Sequence, residues 1–378
     1  MKPVYVIGEN IVSPIAPTAE ENFTSLKKGI TGIRLHDNRQ ISPEPFYAAL
    51  FDAGGIPENA ENSYTKFERL LIMSIGDALR KTGVPVASRR TALIISSTKG
   101  NISLIESAEL TEALRNRIAL STSARLIADH FGFTSQPVVI SHACISGVVG
   151  LITALRMLQS GGYDHVVIAG ADIITRFILS GFQSFHAVSN EPCKPFDAGR
   201  NGVTLGEGAA TIVLSSNKPS TGEVIQLCGG SVSNDANHIS GPSRTGEELF
   251  QAIQKAMEEA SVTSGEIDII SAHGTATLYN DEMESKAINL AGLQQVPVNS
   301  LKGFYGHTLG AAGLIESVIA ILSLKENVML PTPGFHSRGT SMPVNVSAEL
   351  RTGDYHCCLK TASGFGGCNA AVVFQKAV

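Results

Sequence analysis

In the first half of the chain, short β-branched apolar runs alternate with stretches in which apolar residues recur at helical spacing. The runs predict buried strands, and the stretches between them predict amphipathic helices. A capping-box pattern from Thr18 to Glu21 marks the start of the first helix. Strands are predicted at residues 4–8, 91–97, 138–140, 166–170 and 209–214, and helices at about 18–28, 66–81, 122–130 and 145–158.

The second half repeats this style after a Pro- and Ser-containing stretch at residues 217–222. It has predicted strands at 267–271 and 296–300, a helix at about 311–324, and a closing hairpin at 357–362 and 370–374. Strands separated by helices indicate βαβ units and a mainly parallel sheet. We therefore predict an α/β fold of two similar halves, residues 1–218 and 219–378, with a long functional loop at residues 172–208.

Composition narrows the class of protein. Hydrophobic residues make up 43% of the 378 residues, which is typical of a globular chain with a large core. The net charge is −5 and no basic face stands out, so we expect neither nucleic acid nor a membrane as partner. The six cysteines lack metal-ligand spacing, so we expect a reduced, cytoplasmic protein that binds no metal.

Cys144 lies on the sharp turn predicted between the strand at residues 138–140 and the next helix. A thiol at a helix N-terminus faces unpaired N–H groups and the positive end of the helix dipole, which favour the thiolate. This placement indicates a nucleophile, although a small buried cysteine is the alternative. The neighbouring His142 is expected to pack in the core.

Two predicted strand ends of the second half carry histidines. His273 follows the strand at residues 267–271, and His307 follows the strand at residues 296–300. Because two similar halves would turn their strand-end loops toward one crevice, we expect both imidazoles to lie near Cys144. One thiolate and two neutral imidazoles suit acyl transfer to sulfur followed by stabilisation of an enolate. A structural role for each single histidine is the alternative.

Two further features accompany this set. Lys302, five residues before His307, could hold the protonation state of an imidazole or pair with Glu316, with a solvated lysine as the alternative. The glycine-rich stretch around Phe365 lets the backbone approach a ligand closely, so its N–H groups could form half of an oxyanion hole with the amide of Cys144. A simple hairpin turn is the alternative there.

Over nearly its whole length the chain resembles the β-ketoacyl-[acyl carrier protein] synthases, condensing enzymes of the thiolase-like superfamily. The nucleophile turn, two histidine motifs and a closing loop carry the resemblance. In this sequence they read Ser-His-Ala-Cys144-Ile-Ser-Gly, Ala-His273-Gly-Thr275-Ala-Thr277, Lys302 with Gly-His307-Thr-Leu-Gly-Ala-Ala-Gly and Glu316, and Gly364-Phe365-Gly366-Gly-Cys-Asn. The pairing of one cysteine with two histidines is similar to the elongating type within that family.

The resemblance implies a layered α-β-α-β-α sandwich of two thiolase-like halves, and a decarboxylative Claisen condensation. Cys144 would carry the acyl group, while His273 and His307 would bind the malonyl thioester and stabilise its enolate. Lys302 would tune His307 together with Glu316. Phe365 would gate the acyl pocket, and the residues that the resemblance places around the substrate are Thr275, Thr277, Glu316, Gly364, Phe365 and Gly366.

The same resemblance implies partners. No cofactor is expected, because the phosphopantetheine arm arrives on acyl- or malonyl-loaded acyl carrier protein. A homodimer is expected, with a heterodimer with a related subunit as the alternative. Lys66 and Arg69 are candidates for docking an acidic carrier, and a solvated helix face is the alternative. Ser363 and Cys368 depart from the family pattern, which usually has phenylalanine and threonine there.

The competing hypothesis is a non-catalytic partner subunit that sets chain length in a heterodimer. Such partners resemble condensing enzymes but have lost the nucleophile, so Cys144 and the two histidines speak against it. Fatty-acid synthesis and polyketide- or polyene-type elongation are both compatible with the sequence.

Overall fold

The chain is described by a computed structural model that covers residues 2–52, 54–56, 64–219, 222–236 and 241–377. Its first half contains eight strands and six helices among the described residues. The strands are β1 Tyr5–Val12, β2 Ile33–His36, β3 Phe46–Ala49, β4 Thr91–Ser96, β5 Val138–Ile140, β6 His165–Asp172, β7 Leu205–Gly206 and β8 Gly208–Ser215. The helices are α1 Ala19–Lys27, α2 Lys66–Arg80, α3 Glu112–Ile118, α4 Leu120–Phe131, α5 Ser146–Gln159 and α6 Arg176–Ser184.

The second half continues with eight strands and four helices in its described part. The strands are β9 Ile225–Asn234, β10 Ile269–Ser271, β11 Pro297–Asn299, β12 Val328–Met329, β13 Asn345–Val346, β14 Arg351–Thr352, β15 Cys357–Gly364 and β16 Cys368–Lys376. The helices are α7 Glu247–Ala260, α8 Leu278–Leu290, α9 Lys302–Tyr305 and α10 Ala312–Glu326.

Eleven strands are hydrogen-bonded in the order β13-β11-β10-β15-β16-β9-β1-β8-β6-β4-β5. Five strands of the first half form the run β5-β4-β6-β8-β1 in this sheet. When these five are numbered along the chain, their order in the sheet is 3-2-4-5-1. The run β11-β10-β15-β16-β9 repeats that order with strands of the second half. The two half-sheets join where Tyr5 and Val6 of β1 pair with β9. The halves therefore share one topology, and the division at residues 218 and 219 stays a prediction.

Helices α5 and α10 lie between the two half-sheets. Helix α5 contacts β6 and β4 on one side and β16 and β9 on the other, and α10 contacts both β8 and β15. Helix α10 is buried from Ala312 to Leu324, as a helix covered on all faces must be. Separate apolar clusters join α2 and α4 to the outer face of the first half-sheet and α7 and α8 to that of the second. The layers are α-β-α-β-α.

The expectation of a mainly parallel sheet is wrong. Within the eleven-stranded sheet, parallel pairing is confined to β6-β4-β5 and to β15-β10-β11-β13. The strands between these groups run antiparallel. A tight turn joins β15 to β16, and such a short connection allows only antiparallel pairing.

The expectation of one long loop at residues 172–208 is also wrong, because α6 and β7 lie within it. The hydroxyl of Thr175 caps α6 by accepting a hydrogen bond from the backbone N–H of Ile178. Residues 220 and 221 of the predicted boundary stretch lie outside the described residues. Across the described part of the chain, no helix has the length and apolar character that crossing a membrane requires.

Candidate active site

Cys144 lies on the turn between β5 and α5, and its exposed fraction is 7%. Ala143 adopts a φ of +45°, which is uncommon for a residue with a Cβ and marks a strained turn. The hydroxyl of Ser146 holds the turn by accepting from the N–H of His142 at 2.8 Å and donating to the carbonyl of Ala143 at 2.6 Å. The nucleophile candidate therefore sits on a locally enforced turn.

Gly147 allows the start of α5 to approach the start of α10. A Cβ at position 147 would lie 2.8 Å from the backbone nitrogen of Leu314, which is closer than such atoms approach. Because His307 precedes α10 by a few residues, this close approach places the nucleophile turn beside the second histidine motif.

His307 reaches the thiol directly. Its N–H donates to the carbonyl of Thr204 at 2.7 Å, and its carbonyl accepts from Gly206 at 3.0 Å. Its Nε2 lies 3.0 Å from Sγ of Cys144. Its Nδ1 is buried without a hydrogen-bond partner among the described residues. One nitrogen of this imidazole thus contacts the sulfur, and no described partner on the other fixes the tautomer.

His273 is held at the end of β10 by an acid of α8. The carboxylate of Glu284 accepts hydrogen bonds from the N–H groups of His273 and Gly274, both at 2.8 Å. The rings of His273 and His307 lie edge to face, with centroids 5.3 Å apart and an interplanar angle of 85°. The structure therefore brings Cys144 and both predicted histidines into one space.

Lys302 contacts His273, whereas the resemblance implied that it tunes His307. Its Nζ lies 3.5 Å from Nδ1 of His273 and pairs with Oε1 of Glu316. The exposed fraction of Lys302 is 0%, so the alternative of a solvated lysine is wrong. An ammonium can only donate, so this contact places the proton of neutral His273 on Nε2.

The sequence reasoning missed a second buried lysine. Nζ of Lys360, in β15, lies 2.8 Å from Oε2 of Glu316. The exposed fractions are 0% for Lys302 and Lys360 and 3% for Glu316. One carboxylate therefore lies between two ammonium groups directly behind the histidines. A charged residue within the apolar run of β15 was the signal that could have revealed it.

Burial and nearby charge set the protonation states. Burial, followed by the positive charge of Lys302, lowers the pKa of His273 and the pKa of His307 well below the ordinary 6.5. Both imidazoles are therefore neutral at neutral pH. Burial raises the pKa of Cys144 to about 12, so the expectation of a resting thiolate is wrong. The thiol therefore needs a base.

These side chains open into a pocket of about 630 Å³. The predicted residues that line it are Cys144, Thr275, Thr277, His273, His307, Gly364 and Phe365. Lys302 and Glu316 lie behind the histidines and do not line the described pocket wall, and neither does Gly366. Ser363 lines the pocket as well.

Phe365 packs against two aromatic residues that the sequence reasoning did not single out. Its ring centroid lies 5.5 Å from that of Phe182 in α6 and 5.3 Å from that of Phe185. The ring of Phe182 also meets His307 edge-on, at 6.2 Å. The backbone N–H of Phe365 acts on the sulfur of Cys144 and opposes the rise of its pKa. This N–H therefore faces the sulfur of Cys144.

Two expectations about the strand before Cys144 are wrong. His142 is exposed rather than in the core, and β5 is half-buried, because it is the last strand of the sheet. Lys66 pairs with the buried Glu207 at 2.5 Å, so this ammonium has a structural partner. Cys357 and Cys358 are buried in packing. Among the described residues, no group of three or more His, Cys, Asp or Glu is placed to hold a metal.

Comparison with known families matches both halves of the chain. The model of the β-ketoacyl synthase N-terminal domain matches residues 1–220, and that of the C-terminal domain matches residues 224–336. The chain is 30% identical to 3-oxoacyl-[acyl-carrier-protein] synthase 2 of Vibrio harveyi, over 99% of this chain and 98% of the relative. It is also 30% identical to the protein of the same name from Vibrio cholerae, over 99% of each chain.

Solved structures share the fold. The ishigamide ketosynthase/chain length factor superposes with a TM-score of 0.89 at 23% identity, covering 100% of both chains. A β-ketoacyl synthase from Burkholderia phymatum gives the same TM-score, identity and coverage. A ketosynthase in complex with its chain length factor from Xenorhabdus doucetiae gives 0.88 at 24% identity, covering 100% of this chain and 98% of the other. With both domain models matched and curated relatives aligned along the full length, this chain belongs to the β-ketoacyl synthase family.

Proposed function

We propose that this chain is a 3-oxoacyl-[acyl-carrier-protein] synthase. It joins an acyl group held on Cys144 to a malonyl group carried by acyl carrier protein, with loss of CO₂. The observation that carries the proposal is the 3.0 Å contact between Sγ of Cys144 and Nε2 of His307, with His273 in the same pocket. The names of the curated relatives support the same substrate class.

In the first half-reaction, Cys144 attacks the carbonyl carbon of the acyl thioester. Nε2 of His307 accepts the thiol proton, because the high pKa of Cys144 leaves it protonated at rest. The N–H groups of Cys144 and Phe365 donate to the developing oxyanion. The carbon–sulfur bond to pantetheine breaks, and the departing thiolate takes up the proton from His307.

In the second half-reaction, the malonyl thioester loses CO₂ and the bond electrons form an enolate. Nε2–H of His273 donates to the enolate oxygen, since Lys302 occupies Nδ1. His307 donates to the same oxygen from Nε2, and its unfixed tautomer lets one nitrogen act first as base and then as donor. Neutral imidazoles suit both tasks.

The enolate carbon then attacks the acyl carbon on Cys144. A carbon–carbon bond forms, the carbon–sulfur bond to the enzyme breaks, and the 3-oxoacyl thioester leaves on its carrier. The Cys144 thiolate recovers a proton from solvent through His307, which completes the balance. The alternative of a chain-length partner subunit is not favoured, because the nucleophile and both histidines are present and assembled.

For quaternary structure, we extend the proposal to a homodimer formed along β5. This strand ends the sheet, leaves one row of backbone groups without a neighbouring strand in the described chain, and is half-buried although fully apolar. A second copy pairing along β5 would cover these groups and the exposed His142. The alternative outcome is a heterodimer with a related subunit in place of the second copy. Light scattering tests this by measuring the mass of the purified assembly.

The function is tested by incubating the protein with acyl- and malonyl-loaded acyl carrier protein. We expect a 3-oxoacyl carrier product, CO₂ release, and an acyl mass increment on Cys144 before malonyl carrier is added. Cys144→Ser should give no thioester increment and no product. Product formation without acylation of Cys144 would contradict the proposal.

A further inference from the structure

Lys360 is a fully buried lysine that the proposed reaction steps do not use. Strand β15 is buried along nearly its whole length, and its neighbours on the inner face, Cys358 and Ala362, belong to the apolar core beside α10. An ammonium group in such a place is strongly destabilising unless its donors are satisfied, so its presence calls for a specific reason.

The Nζ of Lys360 is surrounded by oxygen. It lies 2.8 Å from Oε2 of Glu316, donates to the carbonyl of Ser271 at 3.2 Å, and donates to the carbonyl of Thr361. Two of the three N–H donors of the ammonium therefore have carbonyl acceptors, and the carboxylate of Glu316 lies at ion-pair distance. The oxygen environment therefore fits the charged form.

Two of these contacts lead to the histidines. Ser271 is the last residue of β10 and pairs with Lys360 across the sheet, two residues before His273. Glu316 is shared with Lys302, whose Nζ faces Nδ1 of His273. Lys360 thus contacts both the strand that precedes His273 and the carboxylate that pairs with Lys302.

The charges add to this geometry. Glu316 alone would neutralise Lys302, whereas the second lysine leaves positive charge beside the imidazoles. The titratable groups that interact with Lys360 come from every neighbouring element. They are Glu316 of α10, Lys302 of α9, Glu284 of α8, Cys358 of β15, and the two histidines. Glu284 faces the backbone N–H groups of residues 273 and 274, so its charge is already engaged.

We propose that Lys360 is a positioning residue that clamps Glu316 against Lys302, which keeps His273 in its Nε2–H tautomer and both imidazoles uncharged. This inference rests on the proposed function for its catalytic meaning. Its structural content, the tautomer and protonation of His273, can be measured without turnover.

The test compares the full-length protein with Lys360→Met and Lys360→Gln. Glutamine keeps a hydrogen-bond donor but carries no charge. If the methionine variant fails to fold, the measurements on Lys360→Gln test the proposal. Lys325→Met is the matched control, because Lys325 pairs with Glu9 at 2.5 Å from the same helix α10 but lies away from the pocket. The ¹⁵N signals of the His273 ring are assigned by their loss in His273→Gln.

We expect wild type and the control to show neutral His273 with its proton on Nε2. In the Lys360 variants, His273 should show mixed tautomers or protonation at least about one pH unit higher. The acidic side of the pH profile of malonyl decarboxylation should also shift to higher pH. A folded Lys360 variant with wild-type His273 signals at every pH would overturn the inference. Failure of the wild type to decarboxylate malonyl-loaded acyl carrier protein would contradict the proposed function. The ring signals of His273 would still test the positioning role of Lys360.

Discussion

Nζ of Lys302 lies 3.5 Å from Nδ1 of His273, and both side chains are buried. The lysine therefore acts on His273 by contact and on His307 only through its electric field. The two imidazoles therefore differ in role, because His307 contacts the thiol and His273 is held as a hydrogen-bond donor.

The first prediction concerns Lys302→Gln. Removing the ammonium frees the tautomer of His273, so malonyl decarboxylation should fall by about 10²-fold while acylation of Cys144 falls far less. CO₂ release and intact-protein mass spectrometry measure the two steps separately. Lys325→Gln, away from the pocket, should match wild type in both. Equal losses in both steps for Lys302→Gln would contradict the division of roles.

The lowered pKa values of the histidines predict sensitivity to acid. Folded His273 and His307 resist protonation well below pH 6.5, whereas in the unfolded chain they bind protons near that value. The unfolded state thus binds more protons as pH falls, and the free energy of unfolding decreases below about pH 6.5. The melting temperature should therefore fall between about pH 7.5 and about pH 5.5. The fall should be shallower in His273→Gln, and identical slopes would refute the lowered pKa of His273.

A third prediction concerns a buried ion pair away from the pocket. Glu68 is 0% exposed and accepts from both terminal nitrogens of Arg117, at 2.5 and 2.6 Å. Burial alone would raise the pKa of Glu68, but hydrogen bonds to its carboxylate from Arg117 and other nearby donors lower this pKa to about 2. Arg117→Met leaves that carboxylate without its cation, so it should cost about 2–4 kcal/mol of unfolding free energy.

The control for this pair is Arg90→Met. Arg90 and Asp164 form a similar bidentate pair, but their side chains are 51% and 38% exposed. Its loss should destabilise the protein much less than the loss of Arg117, because water screens the pair. Chemical denaturation of both variants gives the comparison. A larger loss for Arg90→Met than for Arg117→Met would contradict the importance of burial.

Ser363→Phe tests how the pocket limits the substrate. Ser363 lines the pocket, and its hydroxyl donates to Oδ1 of Asn369 at 2.7 Å. A phenyl ring there takes space beside Phe365, so longer acyl groups should load more slowly than in wild type while acetyl loading is retained. Ser363→Ala, which removes the hydrogen bond without adding volume, is the matched control. Unchanged loading of long chains would show that this wall does not limit them.

The fold was predictable where apolar periodicity was strong. β4, β6, β8, α2 and α10 lie within a few residues of their predicted positions. Helix α7 also has a clear signal, with Leu249, Ile253 and Met257 buried at helical spacing, but the sequence reasoning left that stretch unassigned. Strand direction could not be read from the sequence, because it depends on which strands become neighbours across the half-sheets.

The site was predictable in its members and less so in its contacts. Cys144, His273 and His307 stood at strand ends, where the topology brings loops together. That Lys302 faces His273 depends on the orientation of the short helix α9, which periodicity does not reveal. The protonated state of Cys144 depends on burial from the second half of the chain, which opposes the dipole effect that the local sequence suggested.

The most direct test measures acylation and decarboxylation in His273→Ala and His307→Ala. We predict that His273→Ala acylates Cys144 within about tenfold of the wild-type rate but releases CO₂ at least about 10²-fold more slowly. His307→Ala should slow both steps, because the thiol loses the base that contacts it. Release of CO₂ at the wild-type rate by His273→Ala would contradict the assembled site on which the account depends.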